Sequence, residues 1–525
     1  MPASRRSITT RSVKKLTVFL MGSILAAPVQ AQGAPRGSLP AGTAAALDRE
    51  ITRALTELEI PGLAIAIVRN DSTLLVKGYG VRELGKPEPV DEHTVFDIAS
   101  LTKSFTSAAA AILVDRGVLR WDDPVRRYLP DLVLPDSQLT REASLRDFLS
   151  HRSGLDPANM MWVPTAVDRD EVLRRMRYLR VRAPLRQTWI YSNIGYTVAG
   201  EAMARAAGTT FEALLRDLLI RPLGLTSTTW TYEMAATREN VASPHARIAG
   251  RQQPIGREKQ RQPIAAAAAV QSSAEDLARW MRFQLGNGVL DGVRFVSDSS
   301  LRETHTIQVR ILATAAMRAA RFVEDSTRTG YAMGWQVMDY RGHPLHWHTG
   351  NGDGQVAYMA LLPREHVGVA VLVNTWSAPF VHGALLYRIM DACLGYAPRD
   401  WISETRRRQV EMARAQDSTA SEVDAMRSRE RPPLPLAAFA GRYDEPLFGP
   451  VFVRVERSGL TFQMGAGQLA DLEYQGGRTF YLRWRDPLFR EYYGTQVTFE
   501  GPGDAIDAFR TRINRDEFRA TRSRP

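Results

Sequence analysis

The stretch of sequence that decides the fold is Phe96-Asp97-Ile98-Ala99-Ser100-Leu101-Thr102-Lys103, which leads into an apolar run from Phe105 to Val114. The run predicts a helix with Ser100 at its N-terminus, where unpaired backbone N–H groups and the helix dipole favour negative charge. The three-residue spacing brings Lys103 beside the Ser100 hydroxyl on one face. The pair therefore resembles a nucleophile with a neighbouring proton acceptor.

Lys103 is one of very few lysines in a chain whose basic residues are nearly all arginine. Arginine could not replace it as a proton acceptor, because a guanidinium keeps its proton up to a pH of about 12, whereas a buried lysine can lose its own. The alternative is that Ser100 only caps the helix and that Lys103 is solvated. The spacing alone does not decide between them.

A second motif, Tyr191-Ser192-Asn193, precedes a helical stretch from Tyr196 to Ala206. A tyrosine that gives up its proton must lie beside a cation, because its unperturbed pKa is about 10. Lys103 could be that cation. Asn193 offers an acceptor for an ammonium group and a donor for a substrate carbonyl.

A third motif, His346-Trp347-His348-Thr349-Gly350-Asn351-Gly352, is typical of a strand that runs into a glycine-rich turn. There the backbone N–H of Asn351 could share an oxyanion with that of Ser100. A competing hypothesis is a zinc site, since His343 lies nearby and alternate strand residues His346 and His348 share one face. No carboxylate is a clear third ligand, so we expect neither a metal nor a cofactor.

Taken together, these motifs resemble those of the class C β-lactamase and penicillin-binding-protein-like serine hydrolases. The segments around them are also similar: Phe96 to Ala99, Leu149 to Leu155, Tyr191 to Tyr196, and Ser272 to Leu277. The resemblance covers roughly 45–395. It implies an α+β fold of the β-lactamase/transpeptidase type, with helices on both faces of an antiparallel sheet.

The resemblance also implies roles for the residues. Ser100 would attack a carbonyl and form an acyl-enzyme, and Lys103 and Tyr191 would move the proton, with the general base open between them. Asn193, His348, Thr349 and Gly350 would bind substrate, and the N–H groups of Ser100 and Asn351 would form the oxyanion hole.

Two positions depart from the family pattern. His348 stands where true class C β-lactamases usually carry lysine, whereas some D-Ala-D-Ala peptidases and esterases carry histidine. Ala269-Val270-Gln271 stands where relatives commonly have glycines, which could alter a loop beside the site. We therefore expect an esterase, DD-peptidase or D-aminopeptidase. The alternatives are a β-lactamase proper, or a slowly deacylating penicillin- or peptidoglycan-binding protein.

Composition changes divide the chain further. Five cations before an apolar run from Leu16 to Ala27, and the small residues up to Ala31, predict a signal peptide over 1–31 and export to the periplasm or medium. A flexible leader (32–45), the hydrolase domain (46–395) and a charged linker (396–435) follow. Six short strand-like runs between Val451 and Phe509, with glycine turns between them, predict a small lipocalin-like β-barrel over 436–525. It is similar to the accessory domain of such hydrolases, and its role stays open.

Charge and cysteine content exclude other classes of protein. The formal net charge is +11, but the basic residues are spread along the chain and no nucleic-acid motif accompanies them. After signal cleavage no stretch is apolar enough to span a membrane. The one cysteine, Cys393, rules out an intramolecular disulfide, and its apolar surroundings predict a buried, inert thiol. We expect a small-molecule or peptide substrate, with peptidoglycan as one candidate.

Overall fold

The computed structural model describes residues 39, 42–162, 167–248, 250–256, 262–312, 329–376, 381–425, 430–457, 459–465, 467–486, 489, 494–513 and 516–523. The predicted signal peptide lies outside these residues, as do residues 32–38, 40 and 41 of the predicted leader. In the part of the chain that is described, every helix is too short or too polar to cross a membrane.

The larger domain is built on a sheet of eight strands in which every pairing is antiparallel. In chain order, the strands of this domain are β1 (Gly62–Arg69), β2 (Ser72–Gly80), β3 (Phe96–Asp97), β4 (His245–Ile248), β5 (Arg251–Pro254), β6 (Gln271–Ser272), β7 (Val289–Leu290), β8 (Val293–Arg294), β9 (Val309–Arg310), β10 (Thr329–Tyr331), β11 (Gln336–Tyr340), β12 (His343–Gly352), β13 (Gln355–Leu362) and β14 (Val367–Val373). The sheet order is β2-β1-β14-β13-β12-β11-β10-β9, and β3 pairs with β6, β4 with β5 and β7 with β8.

Helices flank the sheet and continue into the second part of the chain. They are α1 (Thr43–Glu57), α2 (Thr102–Asp115), α3 (Ser137–Glu142), α4 (Leu145–Leu149), α5 (Arg169–Arg175), α6 (Asn193–Ala206), α7 (Phe211–Leu215), α8 (Tyr232–Ala236), α9 (Ala265–Ala268), α10 (Ala274–Leu285), α11 (Asp298–His305), α12 (Val381–Leu394), α13 (Trp401–Ala425) and α14 (Leu436–Phe439). Most of the predicted linker is therefore the helix α13.

Strand β1 shows why helices lie on both faces of the sheet. Its side chains alternate between two apolar layers: Ala64 and Ala66 belong to the core that contains α2 and α10, and Ile65 and Ile67 to the core that contains α1 and α12. Neither face of the strand meets water, so both faces are apolar. The predicted architecture of helices on both faces of an antiparallel sheet is confirmed.

The C-terminal part is a closed barrel of eight antiparallel strands. They are β15 (Gly441–Asp444), β16 (Val451–Glu456), β17 (Gly459–Met464), β18 (Gln468–Gly476), β19 (Thr479–Trp484), β20 (Thr495–Glu500), β21 (Ala508–Ile513) and β22 (Asp516–Arg522), and β22 pairs with β15 to close it. The predicted all-β barrel is confirmed. The sequence patterns predicted six of these strands and missed β15 and β22.

Candidate active site

Ser100 lies in a single 3-10 turn, Ala99–Leu101, directly before helix α2. The turn is anchored by Asp97, whose Oδ1 accepts the Ala99 N–H at 2.8 Å. Ala99 has a φ of 40°, a left-handed conformation that alanine rarely adopts. Strain of this kind, of order 1–3 kcal/mol, is maintained by the surrounding structure and is common at functional sites.

The Ser100 hydroxyl is the meeting point of two side chains. Lys103 Nζ lies 3.0 Å from Ser100 Oγ, and the Tyr191 hydroxyl lies 2.9 Å from the same oxygen. Lys103 Nζ is also 4.8 Å from the centre of the Tyr191 ring. The structure therefore brings together the three residues that the sequence predicted as catalytic.

Lys103 is fully buried, because every residue of α2 from Thr102 to Leu113 lies inside the core. Besides Ser100 Oγ, its Nζ contacts Asn193 Oδ1 at 2.8 Å and the Ala267 carbonyl at 3.1 Å. Both oxygens can only accept hydrogen bonds, so they stabilise the ammonium form at rest. Asn193 thus supplies the predicted acceptor, while the Ala267 carbonyl was not predicted.

Tyr191 is a neutral phenol at rest. Burial raises its pKa above the ordinary value near 10, and the hydrogen bond with Ser100 only partly opposes that shift. The contacts of Lys103 thus favour an ammonium beside the neutral phenol of Tyr191. One proton must leave this pair before either member can act as a base.

Helix α6 places Tyr191 and Asn193 beside Ser100. Ser192 caps the helix by accepting the Gly195 N–H at 3.1 Å, and its own N–H donates to His151 Nδ1 at 3.1 Å. The His151 ring also packs 4.3 Å from the Tyr191 ring. His151 therefore holds Ser192 and Tyr191 of the motif, a role that the sequence did not indicate.

Strand β12 carries the third motif, and it continues to Gly352, so His348 to Gly350 lie on the strand itself and not at the start of a turn. Pairing with β11 ends at Trp347, which leaves this end of β12 beside the Ser100 turn. A Cβ on Gly350 would lie 2.0 Å from the Ile98 carbonyl, so only glycine fits. Asn351 follows on an exposed position of the strand, and its predicted oxyanion role stays a prediction.

The histidines of the alternative zinc hypothesis have separate partners. His343 contacts Glu365 Oε1 at 2.6 Å, and His346 Nδ1 contacts His305 Nδ1 at 2.9 Å. His348 bonds elsewhere, to Tyr331. Over the described ranges, with their gaps, no group of three or more His, Cys, Asp or Glu could hold a metal ion.

Two further expectations from the sequence concern the segment Ala269–Gln271 beside the site and the single cysteine, Cys393. Val270 donates its N–H to Thr102 Oγ1 at 3.0 Å, so the segment with the unusual Ala269-Val270-Gln271 packs directly on α2. Cys393 is buried, as predicted, and burial raises the pKa of its thiol to about 11.

The fold and the serine–lysine–tyrosine cluster are those of a serine hydrolase with the β-lactamase fold. The chain belongs to the Beta-lactamase family, whose model matches residues 47–394. The model of a domain of unknown function, DUF3471, matches 425–522, which includes the barrel.

Among curated relatives, the chain is 30% identical over 436 residues to the unguisins hydrolase of Aspergillus violaceofuscus (strain CBS 115571), covering 78% of this chain and 76% of that one. It is 29% identical to penicillin-binding protein 4 of Amycolatopsis lactamdurans, over 61% of this chain and 82% of that protein. The solved octameric penicillin-binding protein homologue from Pyrococcus abyssi has the same fold, with a TM-score of 0.60 at 19% identity, over 91% of this chain and 99% of that one.

Proposed function

We propose that this protein is an exported serine hydrolase that acts through an acyl-enzyme on Ser100, with an ester or amide as substrate. The observation that carries the proposal is the convergence of Lys103 Nζ and the Tyr191 hydroxyl on Ser100 Oγ, at 3.0 and 2.9 Å. A serine hydroxyl is a weak nucleophile unless a neighbouring group takes its proton. Two such groups lie within hydrogen-bonding distance of it.

The proposed reaction runs in two halves. After the Lys103–Tyr191 pair has lost one proton to solvent, Ser100 Oγ attacks the carbonyl carbon and its proton passes to the pair, which gives a tetrahedral oxyanion. The oxyanion collapses, the bond to the leaving alcohol or amine breaks, and the pair returns the proton to that group. Water then attacks the Ser100 ester by the same route and releases the acid. The N–H groups of Ser100 and Asn351 are the proposed oxyanion donors.

The proposed substrates are those of an esterase, a DD-peptidase or a D-aminopeptidase, and peptidoglycan is one candidate. The names of the relatives support a hydrolase with a peptide-like substrate, since one is an unguisins hydrolase and another a penicillin-binding protein. A fold neighbour, SurE, was solved with D-Leu. His348 in place of lysine favours these activities over a β-lactamase proper.

Activity profiling tests the proposal. The panel contains p-nitrophenyl esters, D-amino-acid amides and nitrocefin, each with the wild type, Ser100→Ala and Ser104→Ala. Ser104 is a suitable control because it lies on the same helix but bonds the Leu101 carbonyl instead of the site. We expect hydrolysis of esters or D-amino-acid amides that only Ser100→Ala abolishes.

Three outcomes would change the proposal. Nitrocefin turnover near ordinary enzyme rates, on the order of 10 per second, would favour a β-lactamase. A stable acyl-enzyme without turnover would favour a penicillin- or peptidoglycan-binding protein. Hydrolysis that persists in Ser100→Ala would contradict the assignment of the nucleophile.

Export is tested separately, by fractionation. Expression of the full chain in a bacterium is expected to yield a protein in the periplasm or medium that has lost residues 1–31. Retention of those residues in a cytoplasmic protein would contradict it.

A further inference from the structure

Tyr331, the last residue of β10, is fully buried and was not singled out in the sequence. Its hydroxyl lies 3.0 Å from His348 Nε2. On the other side of the imidazole, His348 Nδ1 lies 2.7 Å from the Thr349 carbonyl. Both ring nitrogens of His348 therefore have a protein partner.

These partners indicate which nitrogen carries the proton. The Thr349 carbonyl can only accept, so Nδ1 must be the N–H. In a neutral imidazole Nε2 is then the unprotonated nitrogen, and it accepts a hydrogen bond from the Tyr331 O–H. The Tyr196 hydroxyl, which donates to the Leu149 carbonyl at 2.6 Å, is a competing acceptor for the Tyr331 proton.

The surroundings of His348 decide between the neutral and the charged ring. Within the described residues, the titratable groups that face it are Lys103 on α2, His151 after α4, Tyr191 before α6 and Tyr331 on β10. Lys103 is the cation among them, and the His348 ring is buried. Burial and the Lys103 charge lower the pKa of His348 to about 3.

We propose that Tyr331 is a positioning residue that holds His348 as the uncharged Nδ1–H tautomer, so that position 348 offers no positive charge to a substrate. A substrate carboxylate would then gain no ion pair at this end of β12. The site would favour substrates that are uncharged beside the reacting carbonyl. This inference rests on the proposed function for its kinetic test but not for its spectroscopic one.

The spectroscopic test reads the ring directly. Long-range ¹H–¹⁵N spectra are recorded on full-length protein labelled with ¹⁵N-histidine, and His348→Gln assigns the signal. The expected pattern is that of a neutral Nδ1–H ring, unchanged between about pH 5.5 and 8. An imidazolium pattern near neutral pH, which would arise if Tyr331 donated to Tyr196, or an Nε2–H pattern would overturn the proposal.

Tyr331→Phe is the matched variant, because it removes only the hydroxyl. Without that donor the neutral ring loses a hydrogen bond, so the protonation midpoint of His348 should move toward higher pH. An unchanged midpoint would show that Tyr331 only packs against the ring.

The kinetic test compares phenyl acetate with 3-carboxyphenyl acetate, which differ in one carboxylate. We expect the ratio of their kcat/KM values to vary by less than about twofold between pH 5.5 and 8, because position 348 carries no titrating charge. His348→Lys should shift the ratio toward the anionic ester by about tenfold, the effect of one charged hydrogen bond.

A failure of the proposed function and a failure of the inference about His348 give different results. If the wild type hydrolyses neither ester, the proposed function fails on these substrates, and the nitrogen spectra still decide the state of His348. If the wild type hydrolyses both, and the ratio rises toward the anionic ester as the pH falls through the ordinary histidine range, only the inference about His348 fails.

Discussion

The surroundings of Ser100 and the interior of the C-terminal barrel are both buried, but the first contains polar groups and the second contains aromatic rings. Around Ser100, polar groups such as Lys103, His151 and His348 are buried and held by hydrogen bonds. The barrel interior is filled by aromatic rings in edge-to-face contact: Phe439, Tyr443, Phe462, Phe480, Trp484, Phe499 and Phe509. Buried polar groups cost stability unless satisfied, whereas aromatic packing supplies it. We therefore expect substitutions in the first region to affect chemistry and substitutions in the second to affect stability.

The barrel meets the larger domain through apolar side chains of one continuous core and through polar contacts. The carboxylate Oδ2 of Asp516 accepts the Met160 N–H at 2.6 Å, and Arg175 Nη1 donates to the Leu447 carbonyl at 3.1 Å. Met160 follows shortly after the segment that holds His151. Changes in the barrel should therefore act on stability first and on catalysis only indirectly.

Lys103→Arg should have the largest effect, because arginine keeps its proton and cannot act as a base. We expect the rate of Ser100 acylation to fall by a factor on the order of 10³ or more, measured by single-turnover kinetics with p-nitrophenyl acetate. Lys77→Arg is the matched control, since that lysine is exposed and pairs with Asp48. A Lys103→Arg protein that kept a tenth of the activity would break the assignment.

Phe499→Ala should show that the barrel affects the stability of the protein and not the rate of acylation. Phe499 is 2% exposed and packs against four other rings, so truncation leaves a cavity that costs about 3–5 kcal/mol. The free energy of unfolding, measured in urea, should fall by that amount, while folded protein still acylates at the wild-type rate. Phe452→Ala, on a half-buried position of the same barrel, should cost less. Loss of acylation in folded Phe499→Ala would contradict the division of roles.

Asp516→Asn tests the contact between the regions. Burial raises the pKa of Asp516 to about 7 from 3.8, with the Asp156 charge adding to the shift and Met160, Arg182 and Arg180 opposing it. The folded state thus binds this proton more tightly than the unfolded state. Proton binding by Asp516 therefore contributes to the free energy of unfolding in full below about pH 4, and this contribution is lost as the pH rises to about 7.

The expected result is that Asp516→Asn removes this pH dependence. The variant should be more stable than the wild type at pH 8, by on the order of 1–4 kcal/mol, and should lose that advantage at pH 4. Urea unfolding at both pH values measures it, with Asp504→Asn as an exposed control. Equal pH dependence in wild type and variant would show that Asp516 does not titrate at the interface.

The pH dependence of acylation is the smallest of the expected effects. The contacts of Lys103 favour its ammonium form and burial favours the neutral phenol of Tyr191, so the pair must lose one proton to act. The wild-type kcat/KM should therefore rise with pH, by up to about tenfold per unit below the apparent pKa of the pair. Initial rates between about pH 6 and 9.5 measure this slope. A rate that falls as the pH rises across that range would contradict the claim that the Lys103–Tyr191 pair must lose a proton before it acts as a base.

The cluster of Ser100, Lys103 and Tyr191 was predictable because three motifs, taken together, resemble those of one family. Ser100 and Lys103 are three residues apart at a helix start, so local geometry joins them. The Ala267 carbonyl and Tyr331 were missed for a physical reason. A backbone oxygen leaves no trace in the sequence, and Tyr331 reaches His348 only because two strands of the sheet bring them together.

Prediction from the sequence has the same limit in the barrel, where contacts between distant strands decide the structure. Strands β15 and β22 carry many charges, and their buried positions, Tyr443 and Phe518 among them, alternate with exposed ones over short runs. Short polar strands become recognisable only when their partners close the barrel. The end of β12 was misjudged for a related reason, since Gly350 is required by the close approach of Ile98 and not by a turn.

The most direct test of the account is to trap the acyl-enzyme. Wild type and Ser104→Ala, mixed with excess p-nitrophenyl acetate and quenched in acid, should each gain one acetyl group by intact mass, located on Ser100 by peptide mapping. Ser100→Ala should gain none. An acetyl group on another residue, or an equal gain in Ser100→Ala, would contradict the claim that Ser100 is the nucleophile.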